Sequence, residues 1–166
     1  MALDIPTLIN AAGGEIVGKV RLQKLVYLLD QIGVESDLSF AYHHYGPYSE
    51  ELADRVEDDL IFRRVNAETR RRADGVPFVV YRAIDQAENQ ETTASLGTPR
   101  VRAALAAMQR CSATVLELAA TIHWLAAVEE LQDWRAELVR RKGVKTEHGR
   151  TDAALRLLEE LQITPA

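Results

Sequence analysis

The sequence predicts a mainly α-helical protein with a small β-ribbon, a winged-helix-like first half packed on a C-terminal helical bundle. Three observations carry that reading. Apolar residues recur at three- and four-residue steps over most of the chain. β-Branched and aromatic alternation is confined to short runs before residue 85. The stretch DQAENQETTASLGT, residues 85–98, has no apolar period and divides two helical regions. A chain of 166 residues, 47% hydrophobic and 27% charged, suits one domain with its own core. We therefore expect a single domain over 1–166: a winged-helix-like half over 1–84, an exposed linker over 85–98, and a helical half over 99–163.

The first helix is capped by Asp4, takes Pro6 in its opening turn, and stops at Gly13-Gly14 after Leu8, Ile9 and Ala12. A stronger helix runs from about Lys19 to Ile32, with Leu22, Leu25, Leu29 and Ile32 inward and Gly33 as its stop. Leu38 to Tyr45 reads as one short strand or extended segment, with Phe40, Tyr42 and His44 on one side and His43 on the other. Gly46-Pro47 is expected to break the chain there. Ser49 then caps a helix whose first turn carries Glu50 and Glu51 against the macrodipole, with Leu52, Val56 and Leu60 inward. Ile61 to Val65 and Val76 to Ile84 read as two strands around an arginine-rich connection.

Four helices follow. One begins at Thr98-Pro99 with Val101, Leu105 and Met108 inward, and the next is capped by Ser112 with Val115, Leu118, Ile122 and Leu125 inward. A third carries Leu131, Trp134 and Leu138 and ends in Arg140-Arg141-Lys142 before Gly143. Thr151 is expected to cap the last, which turns Leu155, Leu158 and Leu161 inward.

The start of the chain has no basic region followed by a long apolar run, and no apolar run approaches the roughly 20 residues that cross a bilayer. The lone Cys111 fits a reducing compartment. The expectation is a cytoplasmic protein with no membrane partner. The formal net charge of -5 opposes binding to a polyanion unless a local basic patch overrides it.

No pattern of catalysis emerges. Adjacent strand residues point to opposite faces, so His43 and His44 cannot share a metal ion, and no metal or cofactor is expected. His123 sits one residue past the inward stripe and is expected to be a buried, hydrogen-bonded imidazole. Cys111, between two helices and a dozen residues from His123, reads as a structural thiol. No glycine-rich phosphate loop is present. Asp54, Glu57, Asp58 and Asp59 are expected on a solvated helix face. Arg63, Arg64, Arg70, Arg71 and Arg72 fall in or beside the ribbon where a winged helix would meet phosphates. The helix that would enter the groove, however, begins with Glu50 and Glu51 and continues acidic.

One block is more specific. Arg21-Leu-Gln-Lys-Leu-Val-Tyr-Leu-Leu29, then Phe40-Ala-Tyr-His-His-Tyr-Gly-Pro-Tyr-Ser49, then Glu51-Leu52, resembles the Panacea domain of SocA-like antitoxins and related small prokaryotic proteins. The Lys-Leu-Val-Tyr helix matches at Lys24 to Tyr27, and the Tyr-Gly-Pro-Tyr-Ser turn at Tyr45 to Ser49. The resemblance covers about Val20 to Leu60. It implies a helical domain with a winged-helix-like portion that, in antitoxin members, neutralises a toxin by direct protein contact. From the residues themselves, Gly46 permits an unusual backbone angle, Pro47 fixes the next, and Tyr45 and Tyr48 supply amphipathic rings beside the helix cap.

The resulting expectation is a non-enzymatic protein-interaction module, an antitoxin-like neutraliser of a cognate toxin or other protein, working through Tyr42, His43, Tyr45, Tyr48 and Glu51. The alternative is a winged-helix DNA-binding regulator using Arg63, Arg64, Arg70, Arg71 and Arg72. The sequence fixes no oligomeric state.

Overall fold

The computed structural model describes residues 2–84 and 86–165. The first half runs α1 (Ile5–Ala11), β1 (Ile16–Val17), α2 (Lys19–Gln31), β2 (Ala41–His43), β3 (Gly46–Tyr48), α3 (Glu50–Ile61), β4 (Val65–Arg71) and β5 (Pro77–Ala83). β1 and β4 flank β5 in an antiparallel sheet, with Ile16 opposite Tyr81 and Val65 opposite Ala83. Helix, strand, two helices and a ribbon whose second strand pairs back to the first strand make this half winged-helix-like, with the hairpin β2–β3 inserted between α2 and α3. The second half contains α4 (Gln90–Leu96), α5 (Pro99–Arg110), α6 (Ala113–His123), α7 (Trp134–Lys142) and α8 (Arg150–Glu160).

The caps read from sequence do their work. Asp4 accepts the amide of Thr7, Ser49 that of Leu52, Thr98 that of Val101 and Ser112 that of Val115. Gly143 ends α7 at φ 51°, after the three basic residues. α6 is buried continuously from Val115 to Ile122, as befits a helix packed on several sides against α2, α7, α8 and β3. One hydrophobic cluster joins α1 and α2 to α5, α6 and α8. No helix among the described residues is long and apolar enough to cross a membrane.

Several expectations are corrected. Leu38 to Tyr45 is not one strand broken by Gly46-Pro47. Those two residues begin the return strand of a tight hairpin whose turn is His44-Tyr45, and Tyr42 faces Pro47 across it. Proline is tolerated because the strand is one of only two, and Gly46 takes φ +86°. The segment from Ile61 to Val65 is not a strand. α3 continues to Ile61, the first strand of the ribbon begins at Val65, and Arg70 and Arg71 lie within it rather than in a connection.

The 85–98 stretch, of which Asp85 lies outside the described residues, is mostly exposed as expected, but it is not an irregular linker, since Gln90–Leu96 forms a helix. Asn89 caps α4, which buries Thr92 and Leu96 against α1. The Asp4 amide donates to the Thr92 hydroxyl at 3.1 Å, and the Asn89 amide to that of Thr7 at 3.0 Å. A two-turn helix that turns only two residues inward leaves no apolar period to read. α8 starts from Gly149 in a left-handed conformation, and the Thr151 hydroxyl donates instead to the Thr146 carbonyl.

Candidate functional site

The two blocks of the sequence motif are two halves of one joint. Gln23 on α2 donates to the Ser49 carbonyl and accepts the Ser49 amide, both at 2.9 Å, so its side-chain amide pairs the hairpin end as a strand would. The next residue, Lys24, is fully buried and its Nζ donates to the Pro47 carbonyl. Ser49 in turn caps α3. Tyr27 places its hydroxyl 2.6 Å from His123 Nδ1 and makes a T-shaped ring contact with Phe40. His123 is thus hydrogen-bonded as expected, although half-buried rather than buried, and burial pushes its pKa down. Gly46 lies so close to α6 that an added Cβ would stand 2.5 Å from Thr121 Oγ1, a buried hydroxyl without a hydrogen-bond partner among the described residues.

Below the hairpin lies a charge cluster that sequence reasoning missed. Glu117, on the otherwise apolar α6, is buried and receives Lys142 Nζ at 2.8 Å and Lys145 Nζ at 3.0 Å on each carboxylate oxygen. Lys142 also donates to the His44 carbonyl at 3.0 Å, satisfying the hairpin turn. Burial pushes the Lys24 ammonium down to about 8; Glu117 opposes that shift, and Lys142 and Lys145 reinforce it. The signal was present: a lysine between Leu22 and Leu25 and a glutamate inside an apolar helix both demand buried partners.

The five residues expected to bind a partner are all near the hairpin, but they divide between two sides. Tyr42 turns toward α7, where the Arg141 guanidinium lies 4.6 Å from its ring, and Tyr45 toward the 3-10 turn Gly143–Thr146 that follows α7, where Lys145 Nζ lies 4.8 Å from its ring. Tyr42, with His43, His44, Arg140 and Arg141, lines an open groove of about 630 Å³. Both arginines there are already matched, Arg140 by Glu137 and Arg141 by Glu129 and Glu137. His43 packs on Tyr48 at 4.9 Å between ring centres, and both line a second groove of about 300 Å³ with Glu51.

The basic residues form no continuous patch. Arg63 and Arg64 lie at the base of the ribbon and Arg70, Arg71 and Arg72 at its far end, about 20 Å away along β4. Arg64 binds Asp4 at 2.6 Å and Asp59 at 2.9 Å. Asp59 is therefore buried, the exception on an acidic face that is otherwise solvated as expected. Arg70 pairs with Glu68 and Arg72 with Asp74, while Arg71 donates to the Gly75 carbonyl. Glu50, Glu51, Asp54, Glu57 and Asp58 remain exposed along α3, the helix in the position of a recognition helix. Cys111, half-buried at the end of α5, donates its thiol to the Ala107 carbonyl, and burial pushes its pKa up, the opposite of an activated nucleophile.

The fold and the site together define a mainly helical, winged-helix-like protein whose inserted hairpin is held on the central helix of its second half by a buried lysine–glutamate cluster. No family model matches the chain. Among curated proteins the chain is similar to the uncharacterized protein YwgA of Bacillus subtilis (strain 168), 26% identical over 151 residues that span 90% of this chain and 89% of that protein.

Proposed function

We propose that the protein is a non-enzymatic interaction module of the cytoplasm that binds a protein partner through the hairpin and the exposed face of α3, in the manner of an antitoxin-like neutraliser. The observation that carries this reading is electrostatic. The helix in the recognition position exposes five carboxylates, which repel phosphates and attract a basic protein surface. The resemblance of Lys24 to Tyr27 and Tyr45 to Ser49 to the Panacea domain of SocA-like antitoxins supports the same reading. Exposed Tyr45 and half-buried Tyr42 and Tyr48 supply the amphipathic rings that interfaces favour.

The test is affinity capture of the tagged full chain from its native host at moderate salt, with both protein and nucleic acid identified. A stoichiometric protein, lost when Tyr48 and Glu51 are replaced, supports the reading. A second reading, a DNA-binding regulator, is favoured by the winged-helix-like order of elements alone. It requires captured DNA that is released by salt and by replacing Arg70, Arg71 and Arg72, and that result would displace the first reading.

A further inference from the structure

A pocket of about 190 Å³ opens between α2, α3 and β5. Its floor is apolar and aromatic: Leu22, Val56 and Tyr81 are buried, and Tyr48 is half-buried beside them. Asp54 and Glu57, exposed and one turn apart on α3, form the acidic side of its mouth, with Lys19 as the one cation there. The pocket is well below the roughly 300 Å³ at which cofactor and small-molecule sites begin, and suits a single side chain.

Its charges are what set it apart. Arg70 and Arg72 of the ribbon and Arg140 of α7 are matched within the chain by Glu68, Asp74 and Glu137. Among the described residues, Asp54 and Glu57 form no ion pair, so their charge faces outward unspent. The same helix continues the sign on either side through Glu50, Glu51 and Asp58. A guest must therefore be cationic at its tip and apolar along its stem.

We propose that this pocket receives an arginine side chain from a basic segment of the protein partner, an assignment that rests on the interaction reading above. The aliphatic stem of arginine would lie on Leu22 and Val56, as such stems do on apolar surface. The planar guanidinium stacks on a tyrosine ring and presents a fork of donors to Asp54 and Glu57. Lysine offers the charge without the plane or the fork and fits less well. The acidic stripe of α3 supplies steering toward the pocket, and the pocket supplies the anchor.

The experiment is a titration of the isotope-labelled full chain with hexa-arginine and hexalysine peptides at low salt, followed by backbone and tyrosine-ring NMR. Hexa-arginine is expected to shift Tyr48, Tyr81, Asp54 and Glu57 and to bind several-fold more tightly than hexalysine. Replacing Asp54 and Glu57 together by Asn and Gln should weaken it about tenfold. Ala53→Leu, which fills the pocket from a half-buried helix position with another good helix former, should weaken hexa-arginine and leave hexalysine within about twofold. Equal affinity for the two peptides, shifts confined to Glu50 and Glu51, or indifference to Ala53→Leu in a variant with unchanged circular dichroism would overturn the proposal. A captured native protein whose affinity ignores Ala53→Leu would also overturn it while leaving the interaction reading intact. Capture of DNA alone would remove that reading by a separate measurement.

Discussion

Replacing Lys24 by methionine keeps the length and unbranched stem of the side chain while removing its ammonium from a fully buried site. Two effects oppose each other. Stripping the Pro47 carbonyl of its donor costs about 1–3 kcal/mol. Against that, burial pushes the ammonium from 10.5 down to about 8, and at about 1.4 kcal/mol per unit the charged form is penalised by about 3 kcal/mol. The two nearly cancel at pH 7, so the variant should lie within about 2 kcal/mol of the parent.

The pH dependence separates them. As pH rises from about 8 toward 10.5, the unfolded chain still holds the Lys24 proton that the folded chain has released, so the parent grows more stable. The neutral amine continues to donate to Pro47. The variant has nothing to titrate there, and the difference between the two proteins should widen in favour of the parent by about 2 kcal/mol between pH 7.5 and 10. Tyr27 and Tyr81, whose hydroxyls burial holds above their usual range, lower stability only above their unfolded value of 10.0, and do so in both proteins. Urea unfolding followed by far-ultraviolet circular dichroism at stepped pH reads the difference directly. A parent-to-variant difference constant to about 0.5 kcal/mol across that range would refute the account of Lys24 as a buried, strained cation.

Three further outcomes are expected. Gly46→Ala places a Cβ 2.5 Å from Thr121 Oγ1 at φ +86°, and thermal unfolding should report a loss of about 2 kcal/mol, only partly recovered by adding Thr121→Ala. Glu117→Gln leaves the buried Lys142 without its counter-charge beside Lys24, and urea unfolding at neutral pH should show a loss of about 3–5 kcal/mol, reduced when Lys142→Met is added. Arg64→Met removes the guanidinium that joins Asp4 to buried Asp59; since that arginine is itself partly exposed, chemical unfolding should show a loss of only about 1–2 kcal/mol at pH 7, shrinking as acid protonates the two carboxylates.

The readable parts of this protein are those whose physics is local. Asp4, Ser49, Thr98 and Ser112 each cap a helix through an amide three residues ahead, and the apolar stripes of α2 and α5 repeat within a few turns. The hairpin was legible only as a change of pattern near Phe40. Its return strand looked like a break because Gly46-Pro47 is usually one, and only the packing against Thr121 of α6 shows why glycine stands there.

The acidic face of α3 and the tyrosines around the hairpin were legible as residue types, whereas their division between two grooves was not. Which side of a two-stranded hairpin meets a distant helix is set by α7 and α3, not by the hairpin itself. The arginines read as one basic cluster by proximity in sequence. The structure scatters them along a strand and pairs Arg64 with a carboxylate 60 residues away.

The sequence by itself determined the helical class, the caps, the central stripes and the acidic sign of the exposed helix, because each depends on spacings within a few turns of one segment. Tertiary structure alone decided the docking of α4, the Arg64 pairing and the cluster that joins Lys24, Glu117, Lys142 and Lys145. A buried charge is tolerable only where distant residues bring it a partner, and that partner is chosen by the fold rather than by the segment that carries the charge.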